Sequence, residues 1–312
     1  MEKPLVIILC GPTACGKTSF SIELAKKIKG EIVSADSMQI YKEMDIGTAK
    51  VTKEEMQNIP HAMIDIVEPN ERYSVAEYKE EATKAIKKVI EIGKTPIVVG
   101  GTGLYINSLL YNICYPQIEY DEAYRKQLEE RARQEGLENL YEEAYQIDSE
   151  AMKKISRNDQ KRIIRVLEIY HQTGKTKTEL EQESRKEESP FRFLVYVLYR
   201  DREALYQRIN LRVDNMIKEG LIEEVKRIQE KYHEFPTAMQ GLGYKEVVCY
   251  LQGDCSKEEM IEKIKQESRR YAKRQLTWFK GIKEAKWLDM EKPIEQNINL
   301  ILEEKGETRK GT

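Results

Sequence analysis

The sequence predicts an α/β fold: a parallel sheet flanked by helices, with a smaller all-helical domain inserted into it. Three observations carry that expectation. The apolar run Leu5 to Cys10 stops at Gly11-Pro12, the pattern of a short strand buried on both faces of a parallel sheet. Gly11, Gly16, Lys17 and Thr18 then satisfy G-x-x-x-x-G-K-[ST], with the strand before the loop and a helix after it, which makes the core P-loop NTPase-like. From about Tyr115 to Ser189 the chain turns polar, charged and helical, before FRFLVYVLY, Phe191 to Tyr199, returns a strand to the sheet. The expected division is a P-loop core of 1–114 with 190–312, which ends in long helices, and an inserted helical domain of 115–189.

The loop defines the first candidate site. Backbone N–H groups of Gly11, Pro12, Thr13, Ala14, Cys15, Gly16, Lys17 and Thr18, less that of Pro12, are placed to wrap an anionic oxygen cluster. Lys17 adds a point charge, the Thr18 hydroxyl is an oxygen ligand for Mg2+, and the helix opening near Thr18 points its positive end at the same spot. Such a cradle reads charge and shape, so it leaves the reaction open.

The helix runs through Phe20, Ile22, Leu24 and Ile28 to about Gly30, and a second strand, Glu31 to Ala35, delivers Asp36. Ligands of open parallel sheets sit beyond the carboxyl ends of the strands, so Asp36 belongs near the cradle, unless it only caps the following turn. Glu77 to Ile92 reads as a helix. Thr95 to Val99 is a third strand, ending in Gly100-Gly101-Thr102-Gly103 without the carboxylate that ATP- and GTP-hydrolysing relatives use to help hold Mg2+; a motor or switch is disfavoured.

With 312 residues, a formal charge of -2 and 34% charged residues, the chain has the composition of an ordinary soluble protein. No apolar run approaches the roughly 20 residues of a membrane span, and MEKPLVII leads straight into the first strand, so no membrane association and a cytoplasmic address are expected. Five scattered cysteines without C-x-x-C spacing and three isolated histidines argue against disulfides, zinc or a histidine-bound metal.

Charge is concentrated in two stretches. Lys153 to Lys186 holds ten Lys/Arg against five Asp/Glu, and Lys263 to Lys286 nine against two, in a chain that is nearly neutral overall. Such polarity suits a polyanion, although solvated helix faces look the same in sequence. In the first stretch Ser156-x-x-Asp159 resembles a capping box. The following helix should bury Ile163, Leu167 and Tyr170, present Lys161, Arg162 and Arg165 elsewhere, and stop at Gly174. In the second, Lys265, Arg269 and Lys273 recur among Ile261, Ile264, Tyr271 and Trp278, the cation and aromatic mixture that looped RNA requires. Between them, Arg202 to Tyr232 forms helices broken near Gly220, where Arg208 or Arg212 could clamp substrate phosphates. The tail after Pro293 reads as a last helix.

Six blocks in order, GPTACGKT, SADSMQIYKEMDIGTAK (Ser34 to Lys50), VVGGTGLY (Val98 to Tyr105), NDQKRIIRVLEIY (Asn158 to Tyr170), QGLGYKE (Gln240 to Glu246) and RRYAKRQLTWFK (Arg269 to Lys280), together resemble the bacterial tRNA dimethylallyltransferases. The resemblance spans nearly the whole chain. It implies transfer of a dimethylallyl group from dimethylallyl diphosphate to N6 of adenosine 37, beside the tRNA anticodon, with release of diphosphate. It implies that Asp36, Lys17 and Thr18 are catalytic, that the loop with Arg208 binds the diphosphate, and that Mg2+ is the cofactor. It further implies tRNA contacts at Asp36, Ser37, Met38, Gln39, Thr102 and Arg125, and at Gln160, Lys161, Arg162, Ile163 and Ile164. The later blocks add Gln240, Gly241, Leu242, Gly243, Tyr244 and Lys245, then Lys273, Arg274, Gln275, Leu276, Thr277, Trp278, Phe279 and Lys280. No obligate protein partner is expected. Cys15 stands where the family usually has Ser, which opens thiol oxidation beside the diphosphate, and Ser268 replaces the usual Thr. The rival readings are an adenine-nucleotide isopentenyltransferase, a P-loop kinase and a nucleotide-regulated RNA-binding protein.

Overall fold

The computed structural model describes residues 3–113, 115, 121–184 and 188–310; Cys114, Arg185 and Lys186 lie outside them. In chain order the elements are β1 (Leu5–Cys10), α1 (Lys17–Ile28), β2 (Gly30–Ser34), α2 (Lys53–Met56), β3 (His61–Ala62), α3 (Val75–Glu91), β4 (Thr95–Gly100) and α4 (Gly103–Leu110). Five helices follow: α5 (Glu122–Gln134), α6 (Leu137–Ile147), α7 (Ser149–Met152), α8 (Gln160–Thr173) and α9 (Lys177–Ser184). The chain closes with β5 (Arg192–Tyr199), α10 (Arg202–Glu219), α11 (Leu221–Lys231), α12 (Tyr244–Leu251), α13 (Lys257–Phe279), β6 (Lys286–Asp289) and α14 (Ile294–Lys310).

The six strands form one parallel sheet of order β3-β2-β4-β1-β5-β6. The strand before the cradle is central: Ile7 lies in register with Ile97 of β4 and Leu194 of β5. Val6 to Cys10 are fully buried, which explains a continuous apolar run rather than an alternating one. Ile7 and Leu9 pack with Phe20 and Leu24 of α1, Leu205 and Ile209 of α10, Ala272 of α13, and Ile298 and Ile301 of α14. Full burial of such aliphatic side chains contributes about 1.5–3 kcal/mol each to the core beneath the loop.

The chain divides into two compact units, 1–107 with 190–312, and 108–189. The helical unit therefore begins inside α4 rather than at residue 115. It has its own core of Leu128, Leu140, Ala144, Ile163, Ile164, Val166 and Leu167. Within α8 the capping box is not formed: the helix starts at Gln160, Asp159 is the N-cap, and its carboxylate accepts from the Arg162 amide at 3.2 Å. A box needs its carboxylate three residues inside the helix, and Asp159 precedes it. Tyr170, expected in the core, is 42% exposed near the helix end, while Gly174 caps that end in the left-handed conformation.

The sequence reading misses β3 and β6. Both are edge strands, of two and four residues, too short for an apolar pattern to show. A second cluster joins Ile40, Tyr41 and Met44 to Val213 of α10, Leu221 and Val225 of α11, Tyr244 and Val247 of α12, and Met260 and Ile264 of α13. The C-terminal helices thus close over the segment that follows Asp36.

Candidate active site and nucleic-acid interface

The cradle turns from β1 into α1 through residues 11–18. A Cβ on Gly11 would lie 2.4 Å from the Leu198 carbonyl oxygen, so only glycine lets the loop leave the sheet there. Lys17 arches back, its Nζ donating to the carbonyls of Gly11 (3.0 Å) and Pro12 (2.7 Å). Thr18 is exposed in the first turn of α1. Two arginines from the C-terminal half reach the same loop: Arg208 Nε donates to Ala14 O at 2.9 Å, and Arg200 Nε to Cys15 O at 3.0 Å while its other end meets Glu291. Cys15 is fully buried in the main core, which corrects the expectation of an oxidisable thiol beside the ligand.

Asp36 follows the carboxyl end of β2. Its Oδ1 accepts from the amides of Met38 (2.9 Å) and Gln39 (3.4 Å), so it does cap the turn, and Oδ2 takes no hydrogen bond from the described residues. The turn is tied to the end of β4: Ser37 N donates to Thr102 Oγ1 at 2.9 Å, and Thr102 N to Ala35 O at 3.1 Å. Gln39 Nε2 reaches the carbonyls of Thr48 and Ala49, both at 3.3 Å, and Arg212 Nη2 reaches the same Thr48 oxygen at 3.1 Å. Burial pulls the Arg212 guanidinium below its usual range and the Asp36 charge pulls it back up, which puts cation and carboxylate in one electrostatic neighbourhood. On α13, burial and then Asp36 push the Tyr271 phenol up to about 12, while hydrogen bonds to Thr102 and Gln275 oppose the rise.

Gln275 connects the two halves of the site. Its Oε1 accepts from Thr13 N and its Nε2 donates to Gly101 O, both at 2.9 Å, and it is 6% exposed. An expected RNA contact is therefore a strap between the cradle and the end of β4. Phe279 is likewise fully buried, and Leu276 is packed on the main core. Lys273, Arg274, Thr277, Trp278 and Lys280 occupy the exposed face, with the Trp278 ring against Gly103 and Arg274 over the Tyr271 ring at 5.6 Å.

In the 240–245 loop, Gly241 packs against Met38, Leu242 is half-buried, Gly243 N donates to Glu246, and the buried Tyr244 donates to Glu224. Gln240 donates to Pro236 O, and Lys245 is the exposed cation, 3.5 Å from Glu246. Tyr244 is buried and serves packing, contrary to expectation, while Leu242 packs only in part against the second cluster.

Within the helical unit, a cavity of about 520 Å³ is lined by Arg125, Glu129, Ser156, Asn158, Asp159, Gln160, Lys161 and Ile164. Arg125 is committed to Glu129 (3.1 Å) and Glu168 (2.9 Å), Arg162 pairs with Asp159, and Arg165 with Glu168. Ile163 is fully buried in the unit's core, a correction to its expected contact role, whereas Ile164, though 1% exposed, lines the cavity. Arg212, one of the two arginines offered as a phosphate clamp, and Tyr271 of the aromatic set both lie by Asp36, whereas Arg200 is a site residue that the sequence reading does not single out. Arg200 follows a strand end beside the cradle, a position that could have marked it.

No group of three or more His, Cys, Asp or Glu among the described residues could hold a metal by itself. A central parallel strand that ends in a P-loop, strapped by a basic helix to the end of the strand beside the Asp36 turn, defines a P-loop-type enzyme. The profile of the IPP transferase family matches residues 39–282. The tRNA dimethylallyltransferase of Caldanaerobacter subterraneus subsp. tengcongensis is 50% identical over 285 residues, 90% of each chain. A crystal structure of the full-length tRNA isopentenylpyrophosphate transferase of Bacillus halodurans superposes with a TM-score of 0.73 at 41% identity, covering 99% of both chains. A eukaryotic dimethylallyltransferase acting on tRNA gives 0.78 at 34% identity, over 92% of this chain and 74% of that one. The chain belongs to the IPP transferase family and is a prenyltransferase.

Proposed function

We propose that this chain is a tRNA dimethylallyltransferase that moves the dimethylallyl group of dimethylallyl diphosphate to N6 of adenosine 37. The observation that supports it most is the pair formed by the cradle and the Asp36 turn, joined by Thr102 and Gln275. In this reading the diphosphate lies on the amides of the 11–18 loop, with Lys17 neutralising it and Arg208 beside Ala14. The adenine N6 attacks C1 of the allylic chain, the C1–O bond breaks with its electron pair leaving on the diphosphate, and the N6 proton passes to Oδ2 of Asp36. The two amides on Oδ1 hold the carboxylate in orientation throughout.

Mg2+ fits as a partner of the diphosphate: the Thr18 hydroxyl is a hard oxygen donor at the cradle, diphosphate oxygens and water would complete the shell, and the ion would supply further neutralisation of the leaving group. The exposed cations of α13 and Lys245 grip the RNA backbone, and the Trp278 ring offers a face to an unstacked base. An anticodon-loop adenine is extruded for only a few kcal/mol. No helix of the described residues is long and apolar enough to cross a membrane, and the working site proposed is the cytoplasm.

The test is an initial-rate assay with labelled dimethylallyl diphosphate, offering unmodified tRNA or AMP as acceptor, with Mg2+ or with a chelator. Label should enter tRNA, at a rate that the chelator suppresses. Preferential labelling of AMP would instead favour the adenine-nucleotide isopentenyltransferase.

A further inference from the structure

Glu224 of α11 lies outside the cradle and the Asp36 turn, and it is 1% exposed. One carboxylate oxygen accepts from the amides of Asp45 (3.0 Å) and Ile46 (2.7 Å), the other from Gly47 N (3.1 Å) and the Tyr244 hydroxyl (2.6 Å). No Lys or Arg pairs with it among the described residues, so three consecutive backbone N–H groups and a phenol solvate the whole charge. The Tyr244 ring occupies the room a side chain at 47 would need: a Cβ there would lie 2.4 Å from Cε2. Burial and the Glu224 charge hold the Tyr244 phenol well above its usual range, so it stays a donor. Two sequence blocks, MDIGTAK and QGLGYKE, thus meet on one buried carboxylate.

A buried anion could have been replaced by an apolar contact if packing were the whole purpose. The gripped segment, however, continues directly into the site. Thr48 O accepts from both Gln39 Nε2 and Arg212 Nη2, the Gln39 amide donates to Asp36, and Arg212 shares the field of Asp36. We infer that Glu224 is a positioning residue for the transfer reaction: by gripping the 45–47 amides it sets the Thr48 carbonyl, which in turn fixes Gln39 and Arg212 about Asp36. This role rests on the reaction proposed above.

The test uses the full-length chain. Glu224→Gln keeps the shape but turns an NH2 against donors that need an acceptor, and should lower kcat about tenfold or more while leaving KM for tRNA within about threefold. Tyr244→Phe keeps the three amides and should cost about two- to fivefold in kcat. Arg212→Lys combined with Glu224→Gln should lose less than the product of the single losses, because both act through Thr48 O. Wild-type kcat in Glu224→Gln, with only a lowered Tm, would reduce Glu224 to a fold stabiliser, and strictly multiplicative losses in the double variant would break the route through Arg212. Should Glu224→Gln not fold, an undiminished kcat in Tyr244→Phe overturns the role. Wild type run alongside separates the two failures: if it transfers nothing to tRNA, the reaction and this role fall together, whereas an active wild type matched by its variants discards the role alone.

Discussion

The basic helices α8 and α13 look alike in sequence and differ in how they are built in. On α8, Arg162 and Arg165 already pair with Asp159 and Glu168, and the opposite face fills a core made only of the helical unit's own residues. On α13, Lys273, Arg274 and Lys280 are exposed without an ion pair among the described residues, and the opposite face carries Gln275 into the cradle. A phosphate approaching α8 must compete with carboxylates, and so must one at Lys265 or Arg270 of α13, whereas one at the C-terminal end of α13 meets uncompensated charge on an element bonded to the phosphate loop. Net charge counted along the chain hides that distinction, since it counts cations without their partners.

Substitutions should break or sharpen the contrast, and the largest effect tests the chemistry both helices serve. Asp36→Ala removes the proposed base and should lower the transfer rate by about 10²- to 10⁴-fold, with tRNA affinity, read by filter binding, changed less than about threefold because the cations remain. Gln275→Ala cuts the strap on the buried face of α13. It leaves Thr13 N and Gly101 O unpaired, so kcat/KM for dimethylallyl diphosphate should fall about tenfold and urea unfolding should show a loss of about 1–3 kcal/mol. Removing Lys273 or Arg274 should act on binding alone: each should flatten the slope of log affinity against log salt by about 0.7. Arg162→Ala on α8 should be the mildest, weakening tRNA binding by less than about threefold, since the guanidinium is 65% exposed and its partner Asp159 is released with it. An effect of Arg162→Ala equal to that of Lys273→Ala would abolish the contrast.

Much of this was legible in the residues. The run before Gly11, the loop itself and the shift in character after Tyr115 announce the sheet, the cradle and the insertion, because burial and turn chemistry leave local patterns. Asp36 followed from its place at a strand end. Less legible was which residue of a motif faces inward: Gln275, Phe279 and Tyr244 share blocks with exposed neighbours, and helical periodicity alone does not say which side meets RNA. Partners distant in sequence were invisible. Nothing near Glu224 signals that it accepts from residues 45–47, and nothing near Arg125 signals Glu168. The short edge strands lacked enough residues to show a period.

The most direct measurement is to locate the transferred group. After incubation of the protein with dimethylallyl diphosphate, Mg2+ and unmodified tRNA, digestion and mass spectrometry should find N6-dimethylallyladenosine at position 37 and at no other adenosine. Recovery of the group on free adenine nucleotides, or unmodified tRNA after full incubation, would contradict the account.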